Sequence, residues 1–348
     1  MKSDLVGWDI GGAHVKAAGM NADGEVTGIY QQPCPLWKGM ENLQQAVASI
    51  LQHCINVPDV HVLTMTGELV DLFDHREQGV QQIITALTAL LPNCKIFVFA
   101  GQQGFLQAHQ LEARHYSAIS SANWLASATF AAQQAGRGLF VDIGSTTTDI
   151  LLLNEAQVQA QGYTDYKRLI SQELIYSGII RTAVMAVAQT ALDKGEETGI
   201  MAEYFATMAD VYRVTGELDE DHDQTETADG AEKTVVASAR RLSRMIGCDF
   251  VPDELPRWQQ FAKNIRSQQL LRIQQGCERQ LSRTRDAAHC PLIGAGVGRF
   301  LVKQLALNLG HPYLDFNDLL PAPAVQTTMT AADCAPAVAL VCLARALC

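Results

Sequence analysis

Two turns in this chain carry the residues needed to hold an anion. At residues 140–150, FVDIGSTTTDI, an apolar run stops at Asp142, bends through Gly144 and spends four successive hydroxyl residues, Ser145, Thr146, Thr147 and Thr148, before the strand resumes. Residues 5–18, LVGWDIGGAHVKAA, follow the same plan with Asp9, Gly11, Gly12, His14 and Lys16. Glycine in such a turn admits positive φ and lets backbone N–H groups approach a ligand with no Cβ in the way. Hydroxyl and N–H donors suit phosphate oxygens, and Asp9 and Asp142 are hard oxygen ligands of the kind Mg2+ takes. Lys16 adds a point charge, and His14 either donates to a ligand or caps the hairpin. Taken alone, the Thr-rich turn also fits an ordinary hairpin at a sheet edge. A matching turn at an equivalent place calls for a common cause.

Further candidates lie outside the turns. Glu68 and Asp71 follow the apolar run at 60–66, where ligand-facing loops emerge in alternating α/β units, and are placed to ligate metal or accept a proton. A carboxylate favoured at a helix N-terminus explains Glu68 as well. Asn123 and Trp124 open a helical run, the asparagine as a terminal residue and the tryptophan as core or as a stacking surface. In ELIYSGIIRT (173–182), Glu173, Tyr176 and Arg181 fall near one side of an expected helix, with Arg181 either gripping phosphate oxygens as a fork or pairing with Glu173. Gly294 and Gly296, in LIGAGVGRF, stand between a strand and a helix whose N-terminus suits a phosphate or nucleoside, but the spacing is not that of a dinucleotide fingerprint.

The elements that must position these residues repeat. After each turn comes a third strand and then alternating helix and strand patterns, which predicts two tandem βββαβαβα units. With 348 residues, 48% of them apolar, the chain is also too long for one comfortable core. The expected division is residues 1–136, with its turn at 9–16, and residues 137–348, with its turn at 142–149 and a helical insertion at about 190–286. Duplicated units of this kind face each other across a central cleft that takes the ligand. Within the insertion, GELDEDHDQTETADGAE (216–232) holds eight carboxylates and no Lys or Arg. Its DxDxD start is not a calcium loop, because Gln224 and Gly230 occupy the sixth and twelfth positions. It reads as a solvated, mobile loop, and the basic run at 257–285 as a solvent-facing helix.

The net charge of −11 gives no field to attract nucleic acid or an anionic membrane. Nine scattered cysteines without a C-x-x-C pair predict reduced thiols, and with no long apolar segment the expected location is the cytoplasm.

The paired D-I-G turns and LIGAGVGRF resemble the actin, sugar kinase and Hsp70 superfamily, which implies two ribonuclease H-like domains with the turns on phosphates. TMTGELVDLF, SANWLA, FVDIGSTTTDI, ELIYSGIIRT, ADVYRVTGELDE and TADGAEKTVVASARRLSRMIG, in that order, resemble the hydantoinase A/oxoprolinase branch. Within it they are most similar to the methanofuran-pathway condensing enzymes and their relatives in bacteria with tetrahydromethanopterin-linked one-carbon transfer. The resemblance implies a transferase that joins an aminomethylfuran methyl diphosphate to the phenol of γ-glutamyltyramine, or a tyrosine-like acceptor, and releases diphosphate. It implies a small-molecule diphosphate and a phenolic acceptor as partners and Mg2+ as cofactor, and leaves a homo-oligomer open. The turns also admit two other classes: an ATP-dependent small-molecule kinase or hydantoinase-like ring hydrolase, with ATP bound, and, ranked last, a nucleotide-binding switch or structural protein of the actin or chaperone kind.

Overall fold

The structure, a computed structural model, describes residues 4–54, 57–322, 324 and 329–347. Met1–Ser3 and Cys348 lie outside the described residues. In chain order, the first half runs β1 (Leu5–Ile10), β2 (His14–Met20), β3 (Val26–Pro33), α1 (Met40–Leu51), β4 (Val60–Met65), α2 (Arg76–Leu90), β5 (Lys95–Phe99), β6 (Phe105–Gln107), α3 (Ala113–Ile119) and α4 (Asn123–Ala135). The second half begins β7 (Gly138–Ile143), β8 (Thr148–Asn154), β9 (Gln157–Val158), α5 (Asp165–Ser171) and β10 (Leu174–Ile175). An insertion follows: α6 (Val184–Val187), β11 (Thr190–Asp193), β12 (Glu196–Gly199), α7 (Met208–Thr215), α8 (Val235–Arg244) and α9 (Leu255–Leu281). It closes with β13 (Leu292–Ala295), α10 (Arg299–Leu309), β14 (Tyr313–Asp315) and α11 (Ala335–Leu343).

The first sheet has the order β3-β2-β1-β4-β5-β6, with β1–β2 and β2–β3 antiparallel and β1–β4 and β4–β5 parallel. The second has the order β10-β8-β7-β13-β14, with β9 also on β8. Each sheet therefore surrounds its first strand with the hairpin partner on one side and the strand after the crossover on the other. This is the ribonuclease H-like arrangement, present twice, as the repeated turns predict. The match is weakest at the third strand of the second repeat. Residues 158–163 suggest a full strand, but only Gln157–Val158 pairs. Its place along β8 is shared with β10, which pairs Leu174 with Asp149 and Ile175 with Thr148.

By compactness, residues 1–140, 151–168 and 314–348 form one unit and residues 141–150 and 169–313 the other. In the first unit β1 is buried along its whole length. Val6, Trp8 and Ile10 join one core with Leu43, Val47 and Ile50 of α1 and with Val80, Ile83 and Leu87 of α2. The intervening Gly7 faces α11, where an added Cβ would strike the Ala337 carbonyl oxygen. Both faces of this sheet are thus covered, which is why its inner strands read as continuous apolar runs rather than alternating ones.

In the second unit α7, α8 and α9 pack on one another. The basic run at 257–285 is not solvent-facing throughout, because Trp258, Phe261, Ala262, Ile265, Ile273 and Cys277 bury one stripe of α9 at helical spacing. The acidic stretch is solvated only in part: Asp219, Asp221, Glu226 and Glu232 are exposed, while its other carboxylates are engaged. Glu217 holds Arg266 at 2.7 Å, Glu220 and Asp223 hold the buried Arg213 at 2.8 and 2.5 Å, and Asp229 holds the buried Arg241 at 3.0 Å. The cations come from α7, α8 and α9, beyond the window in which the charge run looked unbalanced. Buried arginines need such partners, since an unpaired guanidinium away from water costs several kcal/mol. All eight cysteines among the described residues are free thiols. No described helix is long and apolar enough to cross a membrane.

Candidate functional site

The two predicted turns share one closure. Gly11 N–H donates to the His14 carbonyl at 2.9 Å, and Gly144 N–H donates to the Thr147 carbonyl at 2.9 Å. Neither glycine, nor Gly12, uses the positive φ that its type permits. Gly11 is needed for space instead, because a Cβ there would sit 2.8 Å from the His14 oxygen.

In the first unit the turn is flanked by Asp9, which is buried and receives a 3.4 Å hydrogen bond from Asn123 Nδ2. Asn123 also fixes its own amide by accepting from Trp124 N–H at 2.8 Å. Lys16 is not a plain solvated strand residue: its Nζ donates to the Asp333 carbonyl at 2.8 Å. His14 is buried on β2. Trp124 is core, its face covered by the Arg168 guanidinium 3.9 Å from the ring centre.

Glu68 is a strongly perturbed carboxyl of this unit. It sits in a short 3-10 turn after β4, only 1% exposed, where Gly79 of α2 lets the helix come down onto its backbone. Burial pushes its pKa up to about 7, against a hydrogen bond from Ser121, one from its own backbone N–H and the charge of Arg76, which pull it down. Ser121 Oγ donates to Glu68 Oε1 at 2.9 Å and lies 3.3 Å from Asp165 Oδ2, which in turn pairs with Arg76 at 2.7 Å. The other oxygen, Glu68 Oε2, is buried with no hydrogen-bond partner. A carboxyl poised near neutrality with one oxygen held and one unengaged is equipped to accept a proton. Asp71, its sequence companion, is exposed.

In the second unit the hydroxyls divide their work. Thr148 is buried and spends its Oγ1 on the Ser177 carbonyl at 2.7 Å. The segment after β10 then wraps the turn. Ile179 N–H donates to the Gly144 carbonyl at 3.1 Å, Ile180 and Arg181 N–H to Ser145 O at 3.1 and 2.9 Å, and Thr182 Oγ1 to Thr146 O at 3.4 Å. Arg181 also sends Nη1 to Thr146 Oγ1 at 3.4 Å, and Thr146 Oγ1 lies 3.4 Å from Ser145 Oγ, so a guanidinium stands beside the Thr146 hydroxyl. Asp142 is half-buried beside Gly296, whose φ of +78° and missing Cβ make room for the carboxylate. Gly294 lies inside β13 against the Tyr313 ring. Tyr176 is exposed.

The expected helix at 173–182 does not form. Leu174 and Ile175 pair with β8, and Gly178 lies so close to the turn that a Cβ would meet the backbone of Gly144, Ser145 and Thr146. Glu173 pairs with Arg283 at 3.2 Å and accepts from Ser171 Oγ at 2.9 Å. Gly178→Ala is expected to lower stability by ~1–3 kcal/mol, as overpacking against backbone does, and to weaken pyrophosphate binding at least tenfold. Calorimetric titration and melting check this against Gly199→Ala, where the added methyl meets nothing within 4 Å.

Ser121 and Gly178 fall within the motifs SANWLA and ELIYSGIIRT, which give them no role, and Asp165 and Arg76 fall in none of the quoted motifs. In the structure Ser121 takes a φ of +50°, rare for a residue with a side chain.

Among the described residues no group of three or more His, Cys, Asp or Glu side chains is arranged to hold a metal by itself. Mg2+ is commonly held by one or two carboxylates together with phosphate oxygens and waters, and the half-buried Asp142 fits that mode.

The sequence profile of the hydantoinase/oxoprolinase family matches residues 59–335. The chain belongs to this family. Two archaeal relatives bear the same name, (4-{4-[2-(γ-L-glutamylamino)ethyl]phenoxymethyl}furan-2-yl)methanamine synthase. That of Methanocaldococcus jannaschii is 33% identical over 251 residues, 72% of this chain and 73% of the relative. That of Methanococcus vannielii is 32% identical over 112 residues, 32% of this chain and 50% of the relative. Among solved structures, a nucleotide-free acetone carboxylase matches 99% of this family member and 70% of its own chain, with a TM-score of 0.60 and 11% identity. At that identity the likeness speaks for the fold alone.

Proposed function

We propose that this chain is a transferase that condenses an aminomethylfuran methyl diphosphate with the phenol of γ-glutamyltyramine or a tyrosine-like acceptor. The product is an aryl ether, diphosphate is released, and the reaction serves methanofuran or methylofuran biosynthesis for tetrahydromethanopterin-linked one-carbon metabolism in the cytoplasm. The observation that supports this reading is the 33% identity over 251 residues to a synthase whose named product contains such a phenoxymethylfuran.

In this reaction the phenol oxygen bonds to the furylmethyl carbon, the bond from that carbon to the diphosphate oxygen breaks, and the phenol proton passes to a base. The furan ring stabilises positive charge at the reacting carbon. The protein is therefore asked for leaving-group stabilisation rather than for a nucleophile. The hydroxyls of Ser145, Thr146 and Thr147 and the guanidinium of Arg181 are suited to the departing diphosphate oxygens. Mg2+ bound with the diphosphate would neutralise the charge that develops on it, with Asp142 as its protein ligand and Asp9 the equivalent carboxylate of the first repeat. Glu68 Oε2, buried and raised toward neutrality, takes the phenol proton.

A diphosphate-release assay tests the reading. Diphosphate should appear only when the furan diphosphate and a phenolic acceptor are both present, with no need for ATP. ADP formed from ATP without the furan substrate would instead support a kinase or an ATP-dependent ring hydrolase.

A further inference from the structure

We propose that Ser121 is a positioning residue whose single hydroxyl proton alternates between Glu68 and Asp165, so that the Arg76–Asp165 pair holds the hydroxyl that sets the proton affinity of Glu68. This deepens the assignment of Glu68 as base and rests on it.

The geometry carries the argument. Three elements converge on Glu68: α2 brings Arg76, the residues before α4 bring Ser121, and α5 brings Asp165. The charged groups facing Glu68 are Arg76 and Asp165, which act in opposite directions on its proton affinity. Ser121 Oγ lies 2.9 Å from Glu68 Oε1 and 3.3 Å from Asp165 Oδ2, and a hydroxyl has one proton to give. With Glu68 ionised, the nearer carboxylate takes it. When a substrate O–H bond breaks and an Oε2–H bond forms, Oε1 becomes a weak carbonyl acceptor. Asp165, held by Arg76 at 2.7 Å, still offers its Oδ2 as an acceptor, and the Ser121 hydroxyl turns to it. Loss of the proton from Oε2 to water reverses the rotation. Ser121 holds a φ of +50°, a conformation that persists at functional sites only when its surroundings enforce it.

The test measures Glu68 itself by 13C-carboxyl NMR titration, with its resonance assigned by its loss in Glu68→Gln. Ser121→Gly removes the hydroxyl and suits the positive φ better than serine does, so the variant keeps its fold. Ser121→Gly should raise the Glu68 pKa by about one to two, the worth of a hydrogen bond to a charged group. Asp165→Asn, which removes the facing negative charge, should lower it. An unmoved Glu68 titration in Ser121→Gly would overturn the proposal. A titration that moves as stated while the pH profile of turnover stays fixed would uphold the Ser121 coupling and refute Glu68 as the base.

Discussion

Glu68→Gln is expected to lower turnover by ~10²–10⁴-fold, the usual contribution of a positioned general base. The same substitution should stabilise the protein at alkaline pH. The Glu68 pKa is about 7 in the folded chain, raised from 4.5 mainly by burial. An acid whose folded pKa is raised binds its proton more tightly in the native state. Stability is therefore lost as pH climbs from about 4.5 to about 7, while the unfolded chain ionises first. Below that window the wild type and Glu68→Gln should unfold alike. Above it the variant should be more stable by roughly 1–3 kcal/mol, given ~1.4 kcal/mol for each pH unit between the unfolded and folded pKa and a small loss for the amide's unmatched donors. Urea unfolding at pH 4.5 and pH 8 measures the difference. A stability gap that does not change between the two would mean that Glu68 is already ionised in the native protein at neutral pH. Turnover within threefold of the wild type would remove it as the base.

Asp142→Asn should cost on the order of 10³-fold in turnover, since several kcal/mol of charge stabilisation depend on a carboxylate that meets the cation. Asparagine has nearly the same shape, and Gly296 leaves the space beside that side chain, so the melting temperature should hold. The diagnostic reading is affinity. Pyrophosphate should bind the wild type more tightly with Mg2+ than without it, and Asp142→Asn should bind it equally in both conditions. Unchanged turnover, or a Mg2+ dependence that survives the substitution, would take Asp142 out of the metal's surroundings.

The doubling of the fold was legible because its signal is local: Asp9-Ile10-Gly11 and Asp142-Ile143-Gly144 each stop a buried strand at the same point, and the apolar periods that follow repeat. The candidate site was legible only in part. Asp9, Asp142, Ser145 and Thr146 announce themselves by type and spacing. The network around Glu68 does not, because Ser121 lies 53 residues away and Asp165 a further 44 beyond Ser121. No window of sequence shows that a lone glutamate will be buried under a helix through a glycine such as Gly79. The segment at 173–182 misleads for a related reason. Its apolar spacing suits a helix, but strand pairing to β8 and the contact of Gly178 with the turn outweigh a weak helical preference. The acidic stretch looks unbalanced in sequence because its partner cations, Arg213, Arg241 and Arg266, stand on three separate helices.

The most direct measurement of the central claim uses γ-glutamyltyramine labelled with 18O at the phenol, supplied with the furan diphosphate, Mg2+ and the purified protein. The account predicts an ether that retains the label in full, by mass spectrometry, with one unlabelled diphosphate released per ether formed. Label recovered in diphosphate, or no ether while ATP is consumed, would contradict it.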